Sequence, residues 1–222
     1  MILRPARAAD VAAFLEIKHE LRLDPARPAE GGFLLGASAD AYAWYVEHAH
    51  VLVLEGADGR IGGFAVALPD AVLRATDVWA RRHQIAWDAG GWDALEGAKV
   101  GYFDQLAVRP ERRGRIYAPA LAAAVVQALA ADGHQHVFAT VVREPVWNTA
   151  SLPLLHAAGA RRIGQIDETY PEAGRILSDV YHLPIAPGTI SDLLTSTPLG
   201  RRVATMLARA APVAGRTTDS RN

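Results

Sequence analysis

Residues 102–131, YFDQLAVRPERRGRIYAPALAAAVVQALAA, constrain this chain more than any other stretch. They open with an apolar run from Tyr102 to Val108, the pattern of a buried strand. Arg109, Arg112, Arg113, Gly114 and Arg115 then make a short, very basic turn. Beyond it Leu121, Val125, Ala128 and Leu129 recur at three- and four-residue spacing, which predicts one face of a helix. Pro119 falls in the first turn, where a missing amide costs little, and Gly133 stops the helix. A strand, an arginine- and glycine-bearing turn and a helix N-terminus form an anion cradle. Free backbone amides and the positive helix end converge there, and the arginines add long-range attraction.

The run Leu106-Ala107-Val108-Arg109-Pro110-Glu111-Arg112-Arg113-Gly114-Arg115 resembles motif A of the GNAT acetyltransferases, roughly Leu-Ala-Val-x-Pro-Glu-x-Arg-Gly-x-Gly-x-Gly. The resemblance implies an α/β GNAT fold, a central mixed, mostly antiparallel sheet flanked by helices. It also implies acetyl-CoA as co-substrate. Strand amides at Leu106, Ala107 and Val108 would hold the pantetheine arm, and the turn Arg113, Gly114, Arg115, Ile116, Tyr117 and Ala118 the pyrophosphate. Ile116 stands where the family has its middle glycine, which normally permits close backbone approach. A β-branched residue there keeps φ negative. A second stretch, WNTASLPLLHAAGA, resembles the family's other motif, with Asn148, Ser151 and Gly159 at matching spacings. Asn148 would cap a helix and touch the cofactor, with Ser151 beside it. Leu155 replaces the family tyrosine and Ala160 its phenylalanine. Pro153 lacks an amide that an interior turn would use, which moves the helix start toward Ser151.

A chain of 222 residues suits one sizeable domain, able to bury roughly 70% of its unfolded surface. The formal charge of −1 argues against nucleic acid or acidic membrane as partner. With no cysteine there is no disulfide, thiolate metal site or cysteine nucleophile, and the eight histidines show no metal-ligand spacing. The start MILRPARAADV has no signal-peptide pattern and no stretch is long and apolar enough to span a membrane, so a soluble, cytoplasmic protein is expected. Homodimerisation is compatible with such a chain.

Along the chain, Ile2 to Pro5 reads as a strand and Asp10 to Leu21 as an amphipathic helix. Residues 22–38 read as a Pro/Gly-rich loop, and Asp40 to His50 as a second helix. His50 to Glu55 and Arg60 to Leu68 form a hairpin signal around Gly56-Ala57-Asp58-Gly59. About thirty residues, 69–99, then intervene where a plain GNAT turns directly into its next strand. Thr76 is expected to cap a helix carrying Val78, Trp79, Ile85 and Ala86 on one side, with Gly90-Gly91 ending it. Trp79, Trp87 and Trp92 either anchor this helix on the sheet or wall an acceptor pocket. His136 to Val142, Arg162 to Asp167 and Leu177 to Ile185 complete the strands. Thr197-Pro198 opens a basic C-terminal helix with Leu199, Val203, Met206 and Leu207. The domain is placed at 1–186, with a C-terminal helix and flexible tail over 187–222.

Acetyl transfer to an amine requires the amine to be neutral, so a base or water chain must take its proton. Leu155 cannot replace the tyrosine acid, which leaves Tyr117 and Tyr181 as substitutes that no motif places. One GNAT branch carries a glutamate six residues before the strand-ending valine, and that position is Tyr102. Asp104 lies on the same strand; two-residue alternation puts it on one face with Tyr102, Leu106 and Val108. A carboxylate among apolar neighbours has its pKa raised toward a useful range, so Asp104 and Tyr102 are the catalytic candidates, beside the reading of Asp104 as a paired structural carboxylate. The expected function is N-acetylation of a primary amine on a small-molecule or amino-acid-like acceptor. The alternatives are a protein N-terminal or lysine acetyltransferase, a degenerate acyl-CoA sensor, and an α/β module that binds no CoA. With Ile116 in the cradle, affinity should lean on arginine. Titration calorimetry should show Arg113→Ala losing about 1.5–3 kcal/mol of acetyl-CoA affinity. Ile116→Gly should bind equally well or better.

Overall fold

The computed structural model describes residues 1–24, 32–88, 97–110, 116–171, 173–186 and 188–210. Eight strands are β1 (Ile2–Pro5), β2 (His50–Glu55), β3 (Ile61–Leu68), β4 (Ala86–Trp87), β5 (Val100–Val108), β6 (His136–Glu144), β7 (Arg161–Tyr170) and β8 (Gly174–Pro184). They form one sheet in the order β1-β2-β3-β5-β6-β8-β7-β4. Every neighbouring pair is antiparallel except β5 with β6. β3 is buried at all eight positions, as expected of an unbroken apolar run in a sheet covered on both faces.

One face carries α1 (Val11–Glu20) and α2 (Ala39–His48), packed through Phe14, Ile17 and Tyr42 against Phe64, Val66 and Val100. Ser38 caps α2 by accepting from Ala41 N at 3.2 Å. The other face carries α5 (Tyr117–Ala131), whose Leu121, Val125, Ala128 and Leu129 are all buried as their spacing predicts. The helix gives way to Gly133 at φ +81, a conformation that favours glycine. α7 (Thr189–Ser196) and α8 (Pro198–Leu207) share that face; Val203 joins the α5 core, and Thr197 Oγ1 accepts from Gly200 N at 2.9 Å. α6 (Leu152–Ala157) packs Leu152 and Leu155 against Val141, Tyr181 and Leu183.

The insertion differs from expectation. It folds into α3 (Asp70–Arg74), a single turn α4 (Asp77–Ala80), a 3-10 turn over 81–84 and the short edge strand β4. Ile85 and Ala86 therefore do not continue the helix. Thr76 makes no side-chain cap; its hydroxyl donates to Leu73 O at 2.6 Å. The guanidinium groups of Arg74 and Arg82 both lie over the Trp79 ring, at 4.2 and 4.6 Å from its centre, and Trp87 meets Phe138 edge-on at 6.4 Å. Both tryptophans pack on the sheet, the anchoring role. Trp92, Gly90 and Gly91 lie outside the described residues.

Two features position the centre of the sheet. Arg109, counted with the basic turn from its sequence, is 1% exposed and serves another purpose. Its guanidinium pairs with Glu16 at 2.7 Å and with Glu20, and its Nε donates to Ile61 O at 3.0 Å, clamping the end of β5 to α1. Gly63 lies directly across from Val108, and a Cβ there would stand 2.6 Å from the Ala107 carbonyl oxygen. That neighbour is backbone and cannot swing aside. Gly63→Ala should therefore cost about 1–3 kcal/mol in denaturant unfolding, the usual range for overpacking.

Candidate functional site

The site begins where hydrogen bonding between β5 and β6 stops. The two strands are paired only at Val100–His136, Gly101–Val137 and Tyr102–Phe138. β5 nevertheless continues along β3 as far as Val108, and β6 along β8 as far as Glu144. The pair opens like a V, and among the described residues no strand partners the inner edge of β5 past Tyr102. The hydroxyls of Tyr102 and Thr140 share a hydrogen bond of 2.7 Å across this opening.

β5 also carries an extra residue. Val66 stands opposite Gln105 and Ala67 opposite Phe103, so Asp104 is bulged out of the ladder. The bulge changes the parity of the strand. Tyr102 and Ala107 belong to the core under α1 and α2, while Phe103, Leu106 and Val108 pack in the core under α5. Gln105 accepts from the Tyr42 hydroxyl at 2.7 Å on the α2 side. Simple alternation, which placed Leu106 and Val108 on one face with Asp104, is thus corrected; only Tyr102 stays with it.

Asp104 is charge-coupled to Tyr42, Tyr45, Tyr102 and Tyr170 and to Arg81. Its Oδ2 is cut off from solvent and has no hydrogen-bond partner. The reading of Asp104 as a paired structural carboxylate therefore does not hold for that oxygen. Burial pushes its carboxyl up to about 7, with Arg81 partly opposing. Burial likewise raises Glu168, and Tyr170 to about 12. Tyr102 is raised well above its usual value by burial and then by Asp104, so its phenol stays protonated and can contribute only as a neutral hydroxyl. Arg81 Nη2 lies 3.2 Å from Glu168 Oε1, and Arg81 Nε is a second buried atom without a partner.

The remaining sequence candidates are placed as follows. Ile116 sits at φ −98, ψ −28 just before α5, negative in φ as a β-branched residue should be. Ile116 and Tyr117 pack into the α5 core, and Ala118 lies in the first turn. Arg113, Gly114 and Arg115 lie outside the described residues. Asn148 makes no side-chain cap; its Nδ2 donates to Phe33 O at 3.1 Å. Its Oδ1 is buried without a partner, and a Cβ on Gly32 would stand 3.1 Å from it. The amide thus ties the segment entering α2 to the end of β6. Ser151 ends a 3-10 turn over 149–151 and leads into α6, the late helix start that Pro153 implies. Tyr181 is buried under α6 against Leu155, in a cluster separate from the one holding Tyr102.

Sequence reasoning missed Arg81, Glu168, Thr140, Tyr45 and Tyr170. Arg81 belongs to an ordinary-looking Arg-Arg pair in the insertion, and Glu168 to a polar strand end. No local signal marks either as part of a site. Among the described residues no group of three or more His, Asp or Glu side chains is placed to hold a metal ion. Nor is any helix there long and apolar enough to cross a membrane.

No family model and no curated protein sequence matches this chain. Solved structures do. The ribosomal-protein-alanine N-acetyltransferase of Brucella melitensis superposes with a TM-score of 0.55 at 16% identity, over 83% of this chain and 100% of its own. A GNAT-superfamily phosphinothricin acetyltransferase of Sinorhizobium meliloti, in complex with acetyl-CoA, gives 0.54 at 18% identity, over 88% and 90%. The yncA protein of Salmonella typhimurium, with its cofactor acetyl-CoA, gives 0.53 at 18% identity, over 84% and 94%. At such identities the likeness is one of fold. The chain has the GNAT fold.

Asp104 gains its proton on folding, so ionising it costs stability as pH climbs from the ordinary 3.8 toward about 7. Thermal melts of Asp104→Asn and the unaltered chain should diverge in favour of the variant over that window and run parallel above it. A constant difference from pH 4 to 8 would contradict a desolvated carboxyl.

Proposed function

We propose that the chain is an acetyl-CoA-dependent N-acetyltransferase that modifies a primary amine on a small-molecule or amino-acid-like acceptor. The observation that carries this reading is the Asp104 carboxylate, with its Oδ2 buried and unpartnered, on a bulge beside the point where β5 and β6 part. The fold supports it, since similar structures include an N-acetyltransferase and two proteins with acetyl-CoA bound. Their named acceptors, a ribosomal-protein alanine and phosphinothricin, are both amines.

The unpaired inner edge of β5 fits an extended, amide-bearing arm, because a strand edge without a partner offers backbone donors and acceptors in a row. Leu106, Ala107 and Val108 would present that edge. The turn 113–118 at the start of α5 would meet the pyrophosphate. Asn148 and Ser151 would close the far side. When bound, acetyl-CoA supplies an acyl carbon whose bond to sulfur is exchanged for one to the amine nitrogen.

The protein's own part is to make the amine nucleophilic. An acceptor arrives as an ammonium ion, and Asp104, once ionised, removes its proton. A carboxyl near 7 is better matched to this task than an ordinary aspartate, because proton transfer is most effective when the base is poised near working pH. Tyr102, held by Thr140, fixes the mouth of the opening beside Asp104.

Acetyl-CoA turnover against a panel of primary amines tests the reading. CoA release should depend on amine, and kcat/KM should rise with pH through about 7 as Asp104 ionises. Asp104→Asn should lose about 10²–10⁴-fold in kcat/KM and the pH step with it. Saturable acetyl-CoA binding with no turnover on any amine would instead make the chain a sensor.

A further inference from the structure

Three formal charges from distant parts of the chain come together beside the bulge of β5. Arg81 comes from the insertion, Glu168 from β7 and Asp104 from the bulge of β5. The Arg81 guanidinium engages Glu168 at 3.2 Å and hydrogen-bonds Tyr170. Two polar atoms there lack both water and a protein partner: Arg81 Nε, a donor, and Asp104 Oδ2, an acceptor. Such atoms are costly to leave unpaired, and two of opposite kind in one pocket suggest a ligand that completes both.

We propose that Arg81 and Asp104 form a recognition site for an α-amino acyl group with a neutral end, an amide, ester or peptide. Its amine donates to Asp104 Oδ2 and its carbonyl oxygen accepts from Arg81 Nε. This rests on the N-acetyltransferase reading and names the substrate class.

Charge decides that the end is neutral. With Asp104 and Glu168 ionised against Arg81, the pocket holds one negative charge in excess. A single ammonium brings it to balance. A free amino acid would add a carboxylate next to the buried Glu168, whose cation is already engaged, and would set two like charges side by side. A plain alkylamine balances the charge but leaves Arg81 Nε unsatisfied. The hydroxyls of Tyr45 and Tyr170, both raised by burial, offer hydrogen bonds without altering this balance.

Titration calorimetry at pH 8 on the full chain saturated with CoA tests the ranking. The probes are L-alaninamide, an alanine-initiated tripeptide amide, L-alanine and isopropylamine. Alaninamide or the tripeptide should bind at least about tenfold more tightly than the other two. Tight binding of both assigns small amides as well as peptides; tight binding of the tripeptide alone assigns peptide N-termini. Glu168→Gln should narrow the gap between alaninamide and alanine about tenfold, by removing the like charge. Arg81→Gln should erase the gap between alaninamide and isopropylamine. Alanine or isopropylamine binding as tightly as the better of the two amides, or no binding of any probe, overturns the proposal, and this ranking needs no variant to fold. Acetyl-CoA turnover is read separately. The expected ranking without turnover would remove the transferase reading and leave the site standing.

Discussion

A single extra residue in one strand organises the centre of this protein. β5 must satisfy β3 from Tyr102 to Val108 while leaving β6 after three paired residues. The bulge at Asp104 lies just past the point of departure, where an unpaired residue increases local twist and bends the strand. The same extra residue turns Asp104 and Gln105 toward α2 and returns Leu106 and Val108 to the α5 core. One irregularity thus accompanies the open edge, aims the carboxylate and preserves the packing beyond it.

The unsatisfied atoms mark where stability has been given up. Arg109 is almost wholly buried, yet its guanidinium reaches two carboxylates and a carbonyl. Tyr42 and Gln105 satisfy each other in the interior. Asp104 Oδ2, Arg81 Nε and Asn148 Oδ1 stand apart from that rule, and the first two belong to side chains that interact electrostatically. Buried polar groups in folded proteins are nearly always paired, so these atoms are exceptions to the packing of the rest of the core.

Residues 70–87 join one end of the sheet to its centre. α3 and α4 dock through Leu73, Val78 and Trp79. They deliver Arg81 to Glu168 and Tyr170. β4 then extends the sheet beyond β7 by pairing Ala86 with Gln165 and Trp87 with Gly164. The segment between β3 and β5 therefore supplies the cation beside Asp104.

The order of strands and helices was legible because it rests on local periodicity. The buried runs of β2 and β3, the Ala-rich face of α5 and the Thr197 cap of α8 are all visible within a few residues. So was Asp104 as an oddity, an acid inside an apolar strand. Where alternation failed, at Leu106 and Val108, the cause was a bulge whose presence depends on the partner strand β3. Where motif reading failed, at Arg109, the pairing came from α1, about ninety residues earlier in the chain. Arg81 and Glu168 carry no signal in their own neighbourhoods. Only packing brings them to Asp104, because contacts between distant segments are chosen by the whole core rather than by any run of residues.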